Sequence, residues 1–248
     1  MTKLLIDSDS ICYAAGFAAD AQWKDMNLAI DATYLKDNAL EIVPTSFAAH
    51  AARNMLHKIL NATPHNTFQL YLSGSSNFRY EVAKSKPYKG NRDRTHKPSR
   101  FLEIRAYLID VWGAEVTEGI EADDILGIEA TRDPECVICS IDKDLNQIPG
   151  KHYNWKNDKH YEVSEFEGWY NLYTQALTGD VSDNIPGLPK VGPVKAREIL
   201  QNDKTHRDLY ESVLGAYLKR NFSTEYLVEQ LNLLYLWRKM PDSWAKPE

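Results

Sequence analysis

Two rhythms of apolar and polar positions alternate along the chain. Short apolar runs that close on polar or acidic residues predict four strands: "KLLIDSDS" from residue 3, "TFQLYLSG" from 67, "AEVTEG" from 114 and "CVICSID" from 136. Between them, "FAAHAARNMLHKILNA", "SRFLEIRAYLIDVWG" and "EADDILGIEATR" repeat their apolar residues at helical spacing. Strands that alternate with helices predict an α/β fold whose parallel sheet is covered on both faces, with ligands at the carboxyl ends of its strands. Further on, "EGWYNLYTQALTG" reads as a helix, Pro193 suits a first helical turn, and "VKAREIL" continues that turn. The stretch "YLVEQLNLLYLWRKM" has helical spacing too, and its Tyr235 and Trp237 read as core packing.

Composition adds bounds to this picture. At 248 residues, 43% of them hydrophobic and 26% charged, the chain can bury a sizeable core. No apolar run reaches the length of a membrane span, and acids stand where a signal peptide would need its apolar stretch. The expected location is the cytoplasm, with no membrane partner. Cys12, Cys136 and Cys139 make no disulfide framework, and the CxxC pair lies inside an apolar run, so core cysteines are expected.

A net charge of -6 argues against a generally basic coat, yet residues 84–105 carry eight Lys or Arg against two acids, with Tyr88 among them. Alone, this strip reads as a solvated face. Beside an acidic site it reads as a track for a sugar-phosphate backbone.

Such a site is predicted at the strand ends. Asp7 and Asp9 close the first strand, Asp142 and Asp144 close the fourth, and Glu121, Asp123 and Asp124 open the helix after the third. Each acid taken singly suits a helix start. Three clusters at one sheet edge would instead raise one another's pKa, a conflict that hard divalent cations remove. Calcium of the EF-hand type lacks its glycine and distal glutamate here, and no Cys/His cluster has zinc spacing.

The ordered motifs "LLIDSDS", "NFR", "YKGNR", "EADD", "SIDKDL" and "TGDVSDNIPGLPKVGPVKA" resemble those of the flap endonuclease and 5'-3' exonuclease family, over residues 3 to 201. The resemblance is closest to the short bacterial and phage members and to the nuclease domain of bacterial DNA polymerase I. It implies a PIN-like (resolvase-like) core over 1–167, a reduced arch near 84–100, and a helical region over 168–248. That region holds a helix-three-turn-helix near 176–201. It implies two Mg2+ or Mn2+ ions on Asp7, Glu121, Asp123, Asp124, Asp142, Asp144, Asp180 and Asp183, the last four belonging mainly to the second ion.

By the same resemblance, Arg79, Tyr88, Lys89 and Arg92 meet the scissile phosphate and its neighbouring base, with Lys89 and Arg92 catalytic. Gly187, Lys190, Gly192 and Lys195 grip duplex, where hairpin carbonyls can hold K+. The implied activity is metal-dependent hydrolysis of DNA phosphodiesters at a 5' end, nick or flap, extending to RNA in RNA-DNA hybrids. The implied setting is replication and repair, by a monomer in a bacterial cell or phage-infected host. One departure stands out: Ser73 occupies the end of the second strand, where the family usually has an aspartate. Asp9 is the candidate to supply the missing charge. The alternative reading is a catalytically silent DNA-binding protein on the same scaffold. RNA-cutting relatives share the sheet and acids but lack the glycine-proline hairpin.

Overall fold

The computed structural model describes residues 2–28, 43–91 and 97–247. Its sheet contains all four expected strands, β1 (Lys3–Asp7), β2 (Thr67–Ser73), β3 (Glu115–Thr117) and β4 (Val137–Cys139), paired in parallel. Two further strands, β5 (Gly150–Asn154) and β6 (Lys159–Val163), complete the order β3-β2-β1-β4-β5-β6, with β6 antiparallel at the edge. Their cross-strand rings stack, Tyr153 on His160 and His152 on Tyr161, as paired side chains on one face of a hairpin do.

Period-two alternation sends the strand residues to opposite faces. Leu4, Ile6, Leu70 and Leu72 meet α1 (Ser8–Leu28), α2 (Thr45–Ala62) and α4 (Phe101–Trp112). Leu5, Tyr71 and Ile138 meet α5 (Ala122–Arg132) on the other face. The cysteines follow this division: Cys12 and Cys139 join the first core and Cys136 the second, all free and buried. Burial pushes the Cys139 thiol up to about 12, which keeps it a protonated apolar filler.

A helical layer follows, made of α6 (Glu165–Thr178), α7 (Pro193–Leu200), α8 (His206–Leu218) and α9 (Thr224–Leu234). Reciprocal capping boxes start α6 at Ser164 and Glu167, and α8 at Thr205 and Asp208. Its core, built on Leu172, Leu177, Val213, Tyr217 and Leu231, also takes in Tyr88, Ile120 and Ile128, so this layer packs directly onto α5. The 226–240 stretch is packing surface as expected, with Tyr235 and Trp237 both buried. Among the described residues, no helix is long and apolar enough to cross a membrane.

Candidate metal centre and nucleic-acid face

The chain runs outward from β1 to β2 and β3, then returns to β4 on the other side of β1. This reversal makes the carboxyl ends of β1 and β4 the topological switch point, where open α/β sheets bind ligands. Asp7 ends β1, and Ser140 follows β4 beside it. Ser140 Oγ donates to Asp7 Oδ2 at 2.6 Å and accepts from the Asp142 N–H at 2.9 Å. Asp142 Oδ1 accepts from the Asp144 N–H at 2.8 Å, and Gln175 Nε2 of α6 donates to Asp144 Oδ1 at 2.5 Å. A continuous chain of hydrogen bonds therefore links the sheet edge to the helical layer.

Electrostatics divides the acids into two groups that share Asp142. Burial, partly offset by Ser140 and reinforced by Asp9, pushes Asp7 up to about 6. Burial and the charges of Asp7, Asp142, Glu121 and Asp9 hold Asp123 well above the usual carboxylate range. In the second group, burial together with Asp142, Asp180 and Asp183 pushes Asp144 up to about 7, against the opposing charge of Lys143. For Asp180, burial is outweighed by hydrogen bonds from Ser182 and Asp183, which lower it.

Lys89 and Tyr88 close the site from above. Lys89 Nζ forms an ion pair with Glu121 and lies 3.8 Å from Asp183. Burial would raise Glu121, but Lys89 and then Arg79 overcome it, and its carboxyl is lowered. The Tyr88 hydroxyl donates to Asp183 Oδ2 at 2.6 Å and lies 3.0 Å from Glu121 Oε2. Burial and these two charges raise its pKa, so Tyr88 remains a neutral donor.

Arg79 and Asp124 turn inward, and two expected DNA contacts, Tyr88 at 4% exposure and Gly187, are buried as well. Arg79, on the short helix α3 (Arg79–Val82), is 1% exposed, out of reach of a phosphate. Its guanidinium grips Asp124 through two bonds of 2.6 and 2.8 Å and donates to the Leu233 and Tyr235 carbonyls. Asp124 also accepts the N–H groups of Glu121 and Trp237. A carboxylate offers about four acceptor positions, and all are filled by protein. Asp124 is thus engaged by protein donors, and Arg79 by Asp124, where a metal and a phosphate were expected. The pair instead fastens the segment after α9 beneath the start of α5, where Glu121 and Asp123 sit. Arg92 lies outside the described residues, as do residues 93–96 of the expected arch.

Ser73 and Asp9 face each other. Asp9 Oδ2 accepts the Ser73 N–H at 2.9 Å, while Ser73 Oγ accepts the Ala122 N–H at the start of α5. Arg105 of α4 holds both, donating to the Ser73 carbonyl at 2.6 Å and lying 3.3 Å from Asp9 Oδ1. Sequence reasoning missed Arg105, Ser140 and Gln175. Ser140 was recoverable, because pairing β1 with β4 places the residue after Cys139 beside Asp7.

Among the described residues, no three of His, Cys, Asp and Glu stand together as a ready ligand set. The donors nonetheless fit a hard divalent cation. They are carboxylate oxygens only, and the raised Asp7, Asp123 and Asp144 mark uncompensated negative charge that such an ion would relieve.

Between α6 and α7 lies the glycine-proline turn. Gly179 and Gly187 both have positive φ, at 76° and 61°, and pack back to back: a Cβ on Gly187 would sit 2.2 Å from the Gly179 nitrogen. The Leu188 N–H donates to the Leu177 carbonyl, and Ile185, Leu188 and Val191 enter the helical core. Outward, Lys190, Gly192, Pro193 and Lys195 are exposed around the α7 N-terminus. Asp180 and Asp183 lie at the other end of the same turn, toward the acids.

Fold and site together define a resolvase-like α/β protein with an acidic switch point. A family model described as "5'-3' exonuclease, N-terminal resolvase-like domain" matches residues 2–171, and the chain belongs to that family. It is 29% identical to the 5'-3' exonuclease of Mycoplasma genitalium, covering 84% of this chain and 74% of that one. It is also 28% identical to DNA polymerase I of Bacillus caldotenax over 85% of this chain, but spans only 24% of that much longer protein. The T5 D15 protein co-crystallised with metal ions superposes with a TM-score of 0.63 at 15% identity, covering 95% and 90% of the two chains. The T5 D15 flap endonuclease in complex with DNA and metal ions gives 0.62 at 16% identity, covering 95% and 89%. At these identities the likeness carries the fold.

Proposed function

We propose that the protein is a divalent-metal-dependent 5' nuclease that hydrolyses DNA phosphodiesters at 5' ends, nicks or flaps. The observation that carries this reading is the pair of acid groups at the switch point, facing Lys89 and continuous with the glycine-proline turn. Asp7, Asp9, Glu121 and Asp123 would hold one Mg2+ or Mn2+, and Asp142, Asp144, Asp180 and Asp183 the second. Bound there, two such ions would supply the means to activate a water at neutral pH and to offset charge on both the attacking and leaving oxygens. No protein nucleophile is required.

The residues of this chain supply positioning and charge. Lys89, held at the site by Glu121 and Asp183, would meet the developing negative charge, a role that Arg92 would share. Tyr88 keeps its proton and holds Asp183 in place. Lys190, Lys195 and the α7 N-terminus at Gly192 would grip duplex phosphates, and the turn that the buried Gly187 shapes would offer its carbonyls to K+. Cutting thus centres on 1–167, to which 168–248 lends Asp180 and Asp183, and gripping belongs to 168–248, in a monomer of a bacterial cell or phage-infected host. RNA in RNA-DNA hybrids falls within the same chemistry. The silent-scaffold alternative rests on Ser73, whose hydroxyl is engaged by Ala122; the Asp9 carboxylate directly opposite favours the enzyme.

Purified protein incubated with a 5'-flap duplex, a nicked duplex, an RNA-DNA hybrid and a single strand, with Mg2+ or EDTA, tests the proposal. Mg2+-dependent products are expected from the flap and nicked duplexes; none from any substrate would overturn it.

A further inference from the structure

Two loops from opposite halves of the chain meet at the mouth of the site. One is the turn 87–90, closed by the Gly90 N–H on the Pro87 carbonyl at 3.0 Å, which places Lys89 at φ 54°. The other is the loop 181–184, closed by reciprocal 2.8 Å bonds between Asp180 and Ile185, which places Asn184 at φ 61°. Left-handed backbone at a lysine costs on the order of 1–2 kcal/mol and persists only where the surroundings impose it. Here they do. The Lys89 N–H donates to the Asp183 carbonyl at 3.0 Å, and Asn184 Nδ2 donates to the Pro87 carbonyl at 2.9 Å. Asn91 Nδ2 donates to the Val181 carbonyl at 2.6 Å. Gly90 completes the fit, since a Cβ there would lie 2.8 Å from the Pro87 side chain.

We infer that Asn91 and Asn184 are positioning residues that lock the Lys89 turn to the loop leading into the duplex-facing turn. Each acts through a backbone carbonyl of the opposite loop. The consequence is mechanical. Downstream of Asn184 the chain enters the core at Ile185 and Leu188 and then presents Lys190 and Lys195. With the lock closed, Lys89, Asp183 and the gripping surface form one body, and the distance from grip to cut is fixed. With it open, Lys89 loses the contacts that impose its backbone, and the cut position is no longer defined by where the duplex is held.

This inference rests on the nuclease reading, and its test separates the two. Asn184→Gly keeps the left-handed backbone accessible and removes only the amide; Asn91→Ala removes the second bond. In the double variant, products from a 5'-flap duplex resolved to single nucleotides should spread over neighbouring phosphodiesters. Duplex binding in EDTA and the melting temperature should stay close to the parent's. A loop that merely stabilised the fold would lower the amount of product without spreading it. A product of the parent's single length, at any rate, overturns the inference. If the parent itself makes no metal-dependent product, the nuclease reading falls and the lock is judged by hydrogen exchange: the Lys89 amide must lose protection in the double variant, and unchanged protection overturns it.

Discussion

Asp123 and Asp124 are neighbours in sequence and opposites in environment. Asp124 lies in a fully compensated pocket, where Arg79, the Glu121 N–H and the Trp237 N–H occupy its acceptor positions. Asp123 faces the switch point among Asp7, Asp142, Glu121 and Asp9, and burial together with those charges raises its carboxyl. Both settings arise from one helix start, because consecutive residues in a first turn point about 100° apart. The contrast separates an acid that holds the protein together from one that serves a ligand: the first has its lone pairs filled, the second has its charge unanswered.

The sharpest way to break that contrast is at the sheet edge. Asp7→Ala should abolish Mg2+-dependent cleavage, and Asp9→Ala should damage it nearly as much if Asp9 stands in for the carboxylate that Ser73 lacks. Activity of Asp9→Ala close to the parent's would confine Asp9 to its bonds with Ser73 and Arg105. The compensated pocket should respond in stability instead. Arg79→Ala strands a buried carboxylate and should cost about 3–5 kcal/mol in urea unfolding. Asp123→Asn, measured without divalent ions, should raise stability, since it removes a repelled charge.

A smaller effect separates the helical layer from the sheet edge. His206 stacks on Trp169 with ring centroids 3.8 Å apart, and burial and then Arg238 lower its pKa to about 4. The unfolded chain takes up a proton near the ordinary value of about 6.5, while the folded one resists it, so stability falls as pH drops from about 6.5 to 4. His206→Phe should flatten that part of the pH profile; an unchanged slope would assign it elsewhere.

Much of this was legible in the sequence, for physical reasons. The four parallel strands show as apolar runs because both faces of the sheet are covered. The acids at their ends show because topology gathers strand termini at one edge. β5 and β6 do not show, since "GKHYN" and "KHYEV" are short and mostly polar, and only the fold carries Tyr153 into the core and stacks their rings across the hairpin. Helix α1 was also missed, because its first turn, "SDSI", reads as the acidic close of a strand. Nothing local distinguishes Asp124 from Asp123 in "EADD". Their roles diverge through Arg79, 45 residues away, and Trp237, 113 residues away. The locking of Lys89 by Asn91 and Asn184 is equally remote in sequence, a contact between loops that only the folded chain brings together.

The most direct test of the distinction is a calorimetric titration of Mn2+ into Asp123→Asn and Asp124→Asn, each first shown to be folded by circular dichroism. Asp123→Asn should lose one of the two bound ions, while Asp124→Asn, though less stable, should keep both. Loss of an ion from Asp124→Asn with Asp123→Asn unaffected would contradict the account.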